Sequence, residues 1–508
     1  MRKSYSNQLR LDSVPIEQVE LNLESRDRIV PILRALQFLY SDRKLVDEIL
    51  QWIAADVNND SRTDTGRTGM DYWHICVLAA VRLGCNFTYD QLQDLAENHR
   101  KLRAVMGVGD CDESSFKWRT IRNNIRLLRP ETITHINQIL VSAGHTFDPA
   151  AIKKVRADSF VMETCIHYPT ESGLLYDGLR KIIPQCVRLA EAHGVNGWRQ
   201  YAHLLKKIKQ LNREINRIAI KKGPRYKKRL QPLYRELLQK AAVLTQRARD
   251  LCLVTGQRLP EIGDLFGPNT LQALIVRTER VADTTRRRII HDETVANSDK
   301  LFSIFEPHTQ LYKRGKAGQP MQFGRQVLVF EDAAGFIVRA VLMKRDEGDK
   351  QVAVRETKSL QNDFQNGVKR LSFDRGYHSP DNQRELSELV DHLCLPRPGV
   401  KQSAVQLAGA DDEFRLAQQH YSGVESVIGA FQSGNAMKRC RDRSEIGFER
   451  YLQLGILGRN LHTHARSDAH RPGEPKRGRR SKPPQSSLRQ SRSIREREVR
   501  EESTRGIV

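Results

Sequence analysis

The sequence lacks the features of a zinc-bound, disulfide-linked or membrane-embedded protein. Its 8 cysteines are scattered and form no Cys-x-x-Cys pair, so neither a zinc site nor a disulfide framework is indicated. No stretch approaches the roughly 18–20 apolar residues that a membrane-spanning helix needs. The first residues, MRKSYSNQ, lead into polar sequence without the apolar core of a signal peptide. We therefore expect a cytoplasmic protein with no membrane partner.

Negative charge is scarce relative to positive charge. The 508 residues contain 84 Lys and Arg against 61 Asp and Glu, a formal net charge of +23. Such an excess attracts polyanions and makes affinity depend on salt. Nucleic acid is therefore the expected partner, and the alternative is a generally basic protein such as one associated with ribosomes. The hydrophobic share of 39% is enough for globular cores, and the length suggests about three domains.

Residues 1–149 predict an all-α DNA-binding domain that is helix-turn-helix-like. Thr88 and Gln91 match the capping box of a helix start, and a second helix start is indicated at Ser114. The second helix carries an arginine stripe beside its apolar face, formed by Arg119, Arg122 and Arg126. This pattern favours a helix that contacts the major groove of DNA. The alternative is a solvated basic face on a core helix.

Residues 175–297 predict a long basic helical insertion. Apolar residues from Leu204 to Ile218 step by 4, 3, 4 and 3, which is the seam of packed helices. A similar seam resumes beyond the break at Gly223-Pro224, so we expect an antiparallel helical hairpin. Its outer faces are rich in Lys and Arg, and DNA contact is expected at Lys227 and Lys228. Simple solvation of this face is the alternative.

The other predicted elements follow the order of an RNase H-like fold. A strand at residues 155–161 is followed, after the insertion, by a hairpin of strands at 326–330 and 336–343. A helix, a strand ending at Phe373, a helix, a strand at 392–395 and two helices at about 413–433 and 448–464 come next.

The fold class expected is therefore α/β. Residues 150–174 and 298–465 would form an RNase H-like catalytic domain interrupted by the insertion. The tail, residues 466–508, has almost no apolar residues and is predicted to be a disordered basic segment.

Three acids occupy the positions at which such a sheet would present metal ligands. Asp158 lies within the first strand, Asp374 follows a short apolar strand, and Glu425 flanks the apolar face of a late helix. Two Mg²⁺ ions, or Mn²⁺ in their place, can activate a nucleophile and stabilise both oxygens of a phosphodiester displacement. Mg²⁺ prefers oxygen ligands and keeps several waters, so two or three carboxylates suffice.

Each acid also has an ordinary structural explanation. An Asp that opens a Gly-containing turn, such as Asp374, is usually a turn former. A Glu beside an apolar stripe, such as Glu425, is usually solvated. Glu445 and Glu449 are alternative third ligands, although they lie beyond Gly434-Asn435.

Several sequence blocks resemble DDE transposases of bacterial insertion sequences, most nearly the ISNCY type. DSFVMETCIHYPTESGLL at 158–175 resembles the first catalytic block, and SIFEPHT at 303–309 resembles the next. FDRGYHSPDN at 373–382 is similar to the second-Asp block. YSGVE at 421–425 and GRNLH at 458–462 are similar to the Glu block and the helix after it. The segment from Gly66 to Leu92 is similar to the DNA-binding region that precedes this core.

The resemblance covers roughly residues 60–465 and implies a Mg²⁺-dependent DDE core. It places the catalytic acids at Asp158, Asp374 and Glu425. Many relatives have Arg and Lys around the Glu, where this chain has Tyr421 and Phe431. DNA contacts are therefore expected at residues nearby, namely Arg375, Lys438, Arg439 and Arg441.

The expected function is a DNA transposase that cleaves phosphodiesters at insertion-sequence ends and joins the 3′-hydroxyl to target DNA. The resemblance implies binding to terminal inverted repeats, homo-oligomeric assembly on the two ends, and a cytoplasmic, nucleoid-associated location. One alternative is a non-catalytic DNA-binding protein derived from a transposase. Another is a structural nucleic-acid-binding protein, in which the three acids would lie far apart.

Overall fold

The computed structural model describes residues 12–58, 69–221, 223, 225–258, 265, 267–313, 321–397 and 424–468, except for the side chains of Val424 and Glu425. The chain divides into a unit of residues Met1–Ser467 and a second unit, Asp468–Val508, of which only Asp468 is described. The predicted disordered tail therefore lies almost wholly outside the described residues. No helix in the described ranges has the length and apolarity to cross a membrane.

Seven α-helices precede the first strand in the described part of the chain. They are α1 Ile29–Ser41, α2 Arg43–Asn58, α3 Tyr72–Gly84, α4 Tyr89–Asn98, α5 Arg100–Val105, α6 Trp118–Ile125 and α7 Pro130–His145. Every residue of α3 except His74 is buried. A helix that is apolar all round has to be surrounded by other elements, so α3 forms the centre of this helical layer.

Two predicted helix starts in this layer have different outcomes. Thr88 caps α4, and Gln91 completes the capping box, as predicted. The predicted start at Ser114 is wrong, because α6 begins at Trp118. Ser114 donates its backbone N–H and its hydroxyl to Asp112, and this local turn competes with helix formation.

Six strands of the described chain form one mixed sheet. They are β1 Lys154–Glu163, β2 Gln310–Lys313, β3 Met321–Asp332, β4 Ile337–Leu342, β5 Arg370–Ser372 and β6 His392–Cys394. The order across the sheet is β2-β3-β1-β5-β6, and β4 also pairs with β3. β1 pairs antiparallel with β3 and parallel with β5, and β5 pairs parallel with β6. The mixed α/β class is therefore confirmed.

Because β3 is long, β2 and β4 share its outer edge. β2 pairs with residues 321–324, and β4 pairs with residues 327–331. The strand hairpin predicted at 326–343 is confirmed as β3 and β4. β2 was not predicted, because four residues with no apolar alternation carry little strand signal.

The two faces of the sheet are covered by different helices. On one face, Val155, Ala157 and Phe330 pack with α12 Asp349–Asp363 and α13 Pro380–Leu389. On the other face, Phe160 and Met162 share a single hydrophobic core with the N-terminal helices, α14 Val424–Gly434 and α15 Glu445–Asp468. Alternation along β1 sends successive side chains into these two cores.

One hydrophobic core therefore spans the predicted boundary between residues 149 and 150. Asn460 of α15 ties this core to the sheet, since its amide donates to the Ile337 carbonyl at 3.0 Å and accepts from the Ile337 N–H at 2.9 Å. The division into functional domains at this boundary remains a prediction.

The insertion forms four helices with a core of their own. They are α8 Glu171–Ala192, α9 Tyr201–Lys221, α10 Tyr226–Val254 and α11 Leu271–Thr285. α9 and α10 pack together across a short connection, so they run antiparallel, as the seam predicted. Arg225 precedes α10 with a left-handed φ of 54°. Pro224 of the predicted break lies outside the described residues.

Candidate acidic site beside two neighbouring parallel strands

Asp158 and Asp374 lie at the same level on neighbouring parallel strands. Arg156 of β1 is in register with Ser372, the last residue of β5. Asp158 lies two residues further along β1, and Asp374 lies two residues beyond the end of β5. Asp374 keeps an extended backbone, with φ −72° and ψ 159°. Side chains in register on neighbouring strands, about 4.8 Å apart, point to the same face. The sheet therefore brings these two predicted acids together.

Each of these carboxylates accepts a hydrogen bond from the residue that follows it. The N–H of Ser159 donates to Asp158 Oδ1 at 2.7 Å, and the N–H of Arg375 donates to Asp374 Oδ1 at 2.7 Å. Both side chains are half-buried. The Asp374 contact caps a short 3₁₀ turn, Arg375–Tyr377. Asp374 therefore does form a turn, as its structural explanation predicted. This contact uses only Oδ1, so Oδ2 could still bind a metal.

A third carboxylate, Asp349, was missed from the sequence and contacts the face of β1 opposite to Asp158. Its Oδ1 accepts hydrogen bonds from Ser159 Oγ at 3.0 Å and from Gln326 Nε2 at 2.7 Å. Gln326 Nε2 also donates to Ser159 Oγ at 2.8 Å. Asp349 is the first residue of α12, where an acid is expected for the helix dipole alone. Only the pairing of β1 with β3 brings it to the strand that bears Asp158.

Tyr377 lies beneath these acids. It is 1% exposed, and its hydroxyl makes no hydrogen bond of ordinary geometry within the described chain. Burial raises the pKa of Tyr377 well above its usual value, and the negative charges of Asp349 and Asp158 raise it further. The hydroxyl therefore remains protonated at neutral pH, and it lies close to Ser159 and Asp349.

Glu425 lies in the first turn of α14. Phe431 of α14 packs edge-on against Phe160 of β1, with ring centroids 5.8 Å apart. Beyond the helix, Arg439 pairs in parallel with Glu163 at the end of β1. The helix that bears Glu425 therefore packs against the strand that bears Asp158. The side chain of Glu425 is outside the described residues.

The two alternative acids lie elsewhere. Glu445 forms an ion pair with Arg325 at 2.8 Å, and Arg325 is in register with Met162. Met162 lies four residues beyond Asp158, about 13 Å along the strand. Glu449 follows one turn later on α15. Burial raises the pKa of Glu449, and the charge of Glu445 raises it further. Glu445 therefore lies beyond the level of Asp158 along β1.

The donor set suits a hard divalent cation. Carboxylate oxygens are the ligands that Mg²⁺ uses, often only one or two from the protein with water completing the shell. Within the described residues, no group of three or more His, Cys, Asp or Glu side chains is close enough to hold a metal. A site would therefore consist of the Asp158–Asp374 pair, completed by Glu425 or by water.

The arginine stripe lies on the short helix α6. Arg119 and Arg126 are exposed, and Arg122 is half-buried. The guanidinium groups of Arg119 and Arg122 lie over the Trp118 ring, at 5.2 and 5.1 Å from its centroid. The stripe is therefore a solvent-facing surface, as both of its interpretations require.

The other predicted DNA contacts are also at the surface. The exposed ones are Lys227, Lys228, Arg375, Lys438, Arg439 and Arg441. Two of them also make structural contacts. Arg439 donates to the Ile166 carbonyl at 2.7 Å, and Arg441 donates to the Tyr451 hydroxyl at 3.1 Å and to the Asn86 side chain at 3.0 Å. Arg375, next to Asp374, is the basic group adjacent in sequence to the acidic cluster.

Comparisons of this chain with family models, curated proteins and solved structures found no match.

Proposed function

We propose that this protein is a DDE-type DNA transposase, a metal-dependent DNA nuclease and strand transferase. The observation that carries the proposal is that Asp158 and Asp374 each follow, by two residues, the registered pair Arg156 and Ser372 of the parallel strands β1 and β5. β1 lies between an antiparallel half and a parallel half of the sheet, which is the strand arrangement of an RNase H-like fold. The resemblance of the sequence blocks around both acids to DDE transposases supports the same function.

The residues that would hold the metal are Asp158, Asp374 and Glu425. Bound Mg²⁺, or Mn²⁺ in its place, would supply nucleophile activation and stabilise the entering and leaving oxygens. The backbone N–H groups of Ser159 and Arg375 each occupy one carboxylate oxygen and so fix the direction of the other. The exposed side chain of Arg375 is placed to neutralise a scissile-strand phosphate.

The reaction would consist of two displacements at this site. Water would attack a phosphodiester at the insertion-sequence end and leave a 3′-hydroxyl. That hydroxyl would then attack a phosphodiester of the target DNA. Because two ends and a target have to meet, the protein would act as a homo-oligomer on its terminal inverted repeats.

The two basic surfaces would contact different parts of the DNA. The α6 stripe would read bases in the major groove, because it lies on a helix that projects exposed arginines. Lys227 and Lys228 at the start of α10 would contact the backbone and add affinity without sequence preference. Such a protein would associate with the nucleoid.

The test is Mg²⁺- or Mn²⁺-dependent cleavage of a supercoiled plasmid that carries the ends of the host element. Wild type is compared with Asp374→Asn and with a matched control, Asp391→Asn. The Asp391 side chain is 60% exposed and lies in the turn before β6. We expect Asp374→Asn to abolish cleavage with DNA binding retained, and Asp391→Asn to cleave like wild type.

Other outcomes would contradict the proposal. Equal nicking by wild type and Asp374→Asn would show that the acids do not form the site. Intact DNA binding without cleavage by any variant would favour the second candidate function, a non-catalytic DNA-binding protein derived from a transposase.

A further inference from the structure

Three aromatic rings form a row at the surface, just beyond the end of β1. Tyr168 is 64% exposed, and its ring packs edge-on against Phe323, with the ring centroids 5.6 Å apart. Phe323 in turn contacts Phe302, again with centroids 5.6 Å apart. We call Tyr168, Phe323 and Phe302 the aromatic row. Its outer member, Tyr168, keeps most of its surface in solvent although it is a large ring.

The loop that carries Tyr168 is held on both sides of that residue. Before it, the Ile166 carbonyl accepts a hydrogen bond from the Arg439 guanidinium at 2.7 Å. After it, the Thr170 hydroxyl accepts from the Gly173 N–H at 3.1 Å and so caps α8. The exposed position of the ring is therefore set by the fold. A ring held in place in advance loses little conformational entropy when a planar ligand stacks on it.

Positively charged side chains lie close to the aromatic row. Lys300 lies two residues before its inner ring, and the pKa of Lys300 is lowered by burial and by the positive charges of Arg288 and Lys313. Arg288 is paired with Glu171, whereas Lys313, the last residue of β2, is exposed. Arg439, which holds the Tyr168 loop, is a further exposed cation. Cations gathered in this way create a positive potential that attracts an anionic partner.

The aromatic row lies on the same side of the sheet as Asp158. Val329 of β3 is directly opposite Asp158, and Phe323 lies six residues before Val329 on the same strand. Because alternate residues share a face, Phe323 points to the side of Asp158, roughly 20 Å away along the strand. A single DNA strand covers that distance in about six nucleotides at roughly 3.4 Å each. A strand bound at the proposed active site could therefore reach the row.

We propose that the aromatic row binds unpaired DNA bases, with Tyr168 stacking on a base and the nearby cations contacting the phosphates. Aromatic stacking beside a positively charged surface is how many proteins bind single strands without reading their sequence. Bases inside a duplex are already stacked on one another, so a duplex has no free base face for this ring. The inference goes beyond the proposed function and relies on it only for the choice of DNA over RNA.

The test is binding of the full-length protein to fluorescein-labelled oligothymidylate, measured by fluorescence anisotropy, with a mixed-sequence duplex as the second ligand. Tyr168→Ala should weaken single-strand binding by about 5- to 100-fold, the effect of losing one stacked base. Tyr168→Phe keeps the ring and should bind like the wild type. Tyr201→Ala is the matched control, because Tyr201 is also exposed, at 40%, and begins α9 outside the aromatic row. Duplex binding and circular dichroism should be unchanged in all three variants.

A second readout reports on stacking itself. The fluorescence of a 2-aminopurine base falls when the base stacks on an aromatic ring. At saturating protein, oligothymidylate that contains this base should lose fluorescence with the wild type, Tyr168→Phe and Tyr201→Ala. Much less of the signal should be lost with Tyr168→Ala, because the ring that faces the base has been removed.

Wild-type affinity for oligothymidylate in Tyr168→Ala, or no quenching by the wild type, overturns the inference. Equal losses of single-strand and duplex affinity in Tyr168→Ala also overturn it, since the ring would then not act on unpaired bases. Loss of self-association in Tyr168→Ala, with single-strand affinity unchanged, would assign the row to contact with a second copy of the chain instead.

The plasmid assay separates this inference from the proposed function. Cleavage that needs Asp374, combined with wild-type single-strand affinity in Tyr168→Ala, overturns the stacking role alone. Single-strand binding that needs Tyr168, in a protein that cleaves no DNA, supports the stacking role and contradicts the transposase.

Discussion

Replacing Gly458 by alanine tests how α15 is seated against the N-terminal helices. A Cβ on Gly458 would lie 2.5 Å from the backbone N of Gly84 and 3.1 Å from the carbonyl carbon of Leu83. Heavy atoms of this kind approach to about 3.5–4.0 Å. Because the atoms in the way are backbone, no rotamer change removes the clash, and α3 and α15 have to move apart by about 1 Å.

The loss in the free energy of unfolding can be estimated from that movement. Overpacking a well-packed core lowers stability by about 1–3 kcal/mol. Alanine in place of glycine within a helix raises stability by about 1 kcal/mol, because its helix propensity is higher. Separation would also stretch a hydrogen bond that joins the two helices, in which His462 of α15 donates to the Gly84 carbonyl of α3 at 2.9 Å. We expect a net loss of about 1–3 kcal/mol in the free energy of unfolding.

The assay is urea unfolding of wild type, Gly458→Ala and Gly429→Ala. Gly429 is the matched control, because it is an exposed helical glycine with nothing within 4 Å of an added Cβ. Gly429→Ala should raise the urea midpoint or leave it unchanged, since it gains helix propensity without a clash. If both variants shift the midpoint equally, the close approach of α3 and α15 is refuted.

Two further predictions concern buried charge. Burial, together with the positive charge of Arg325, lowers the pKa of His308 to about 4. Below pH 6.5, His308 therefore binds a proton in the unfolded chain but stays neutral in the folded protein. The free energy of unfolding falls by about 2 kcal/mol from pH 7 to pH 5 as a result. His308→Gln should lack that part of the pH dependence of unfolding; an identical pH profile contradicts the reasoning. Arg82 and Asp442 form a buried double hydrogen bond at 2.6 and 3.1 Å. Asp442→Asn should cost about 3–5 kcal/mol and Arg82→Met with Asp442→Leu much less, whereas additive losses in a double-mutant cycle would argue against a coupled pair.

The local elements could be predicted because their signals are local. The 4, 3, 4, 3 spacing from Leu204 to Ile218 predicts α9, since apolar positions at that spacing share one helix face. Thr88 and Gln91 predict the start of α4, since the capping box involves four consecutive positions. Asp158 and Asp374 could be singled out because each interrupts or ends an apolar strand. The sequence therefore determined where helices and strands form and which acids lie at strand ends.

The pairing of distant segments was decided only by the tertiary structure. Register between β1 and β5 brings Asp158 level with Asp374, and register between β1 and β3 brings Gln326 and Ser159 to Asp349. Asp349 alone carries the signal of a helix-start acid, so no local pattern predicts its contacts with Ser159 and Gln326. Strand register is set by the burial of each face of the sheet against its own hydrophobic core. That burial is a property of the assembled sheet and not of any one strand.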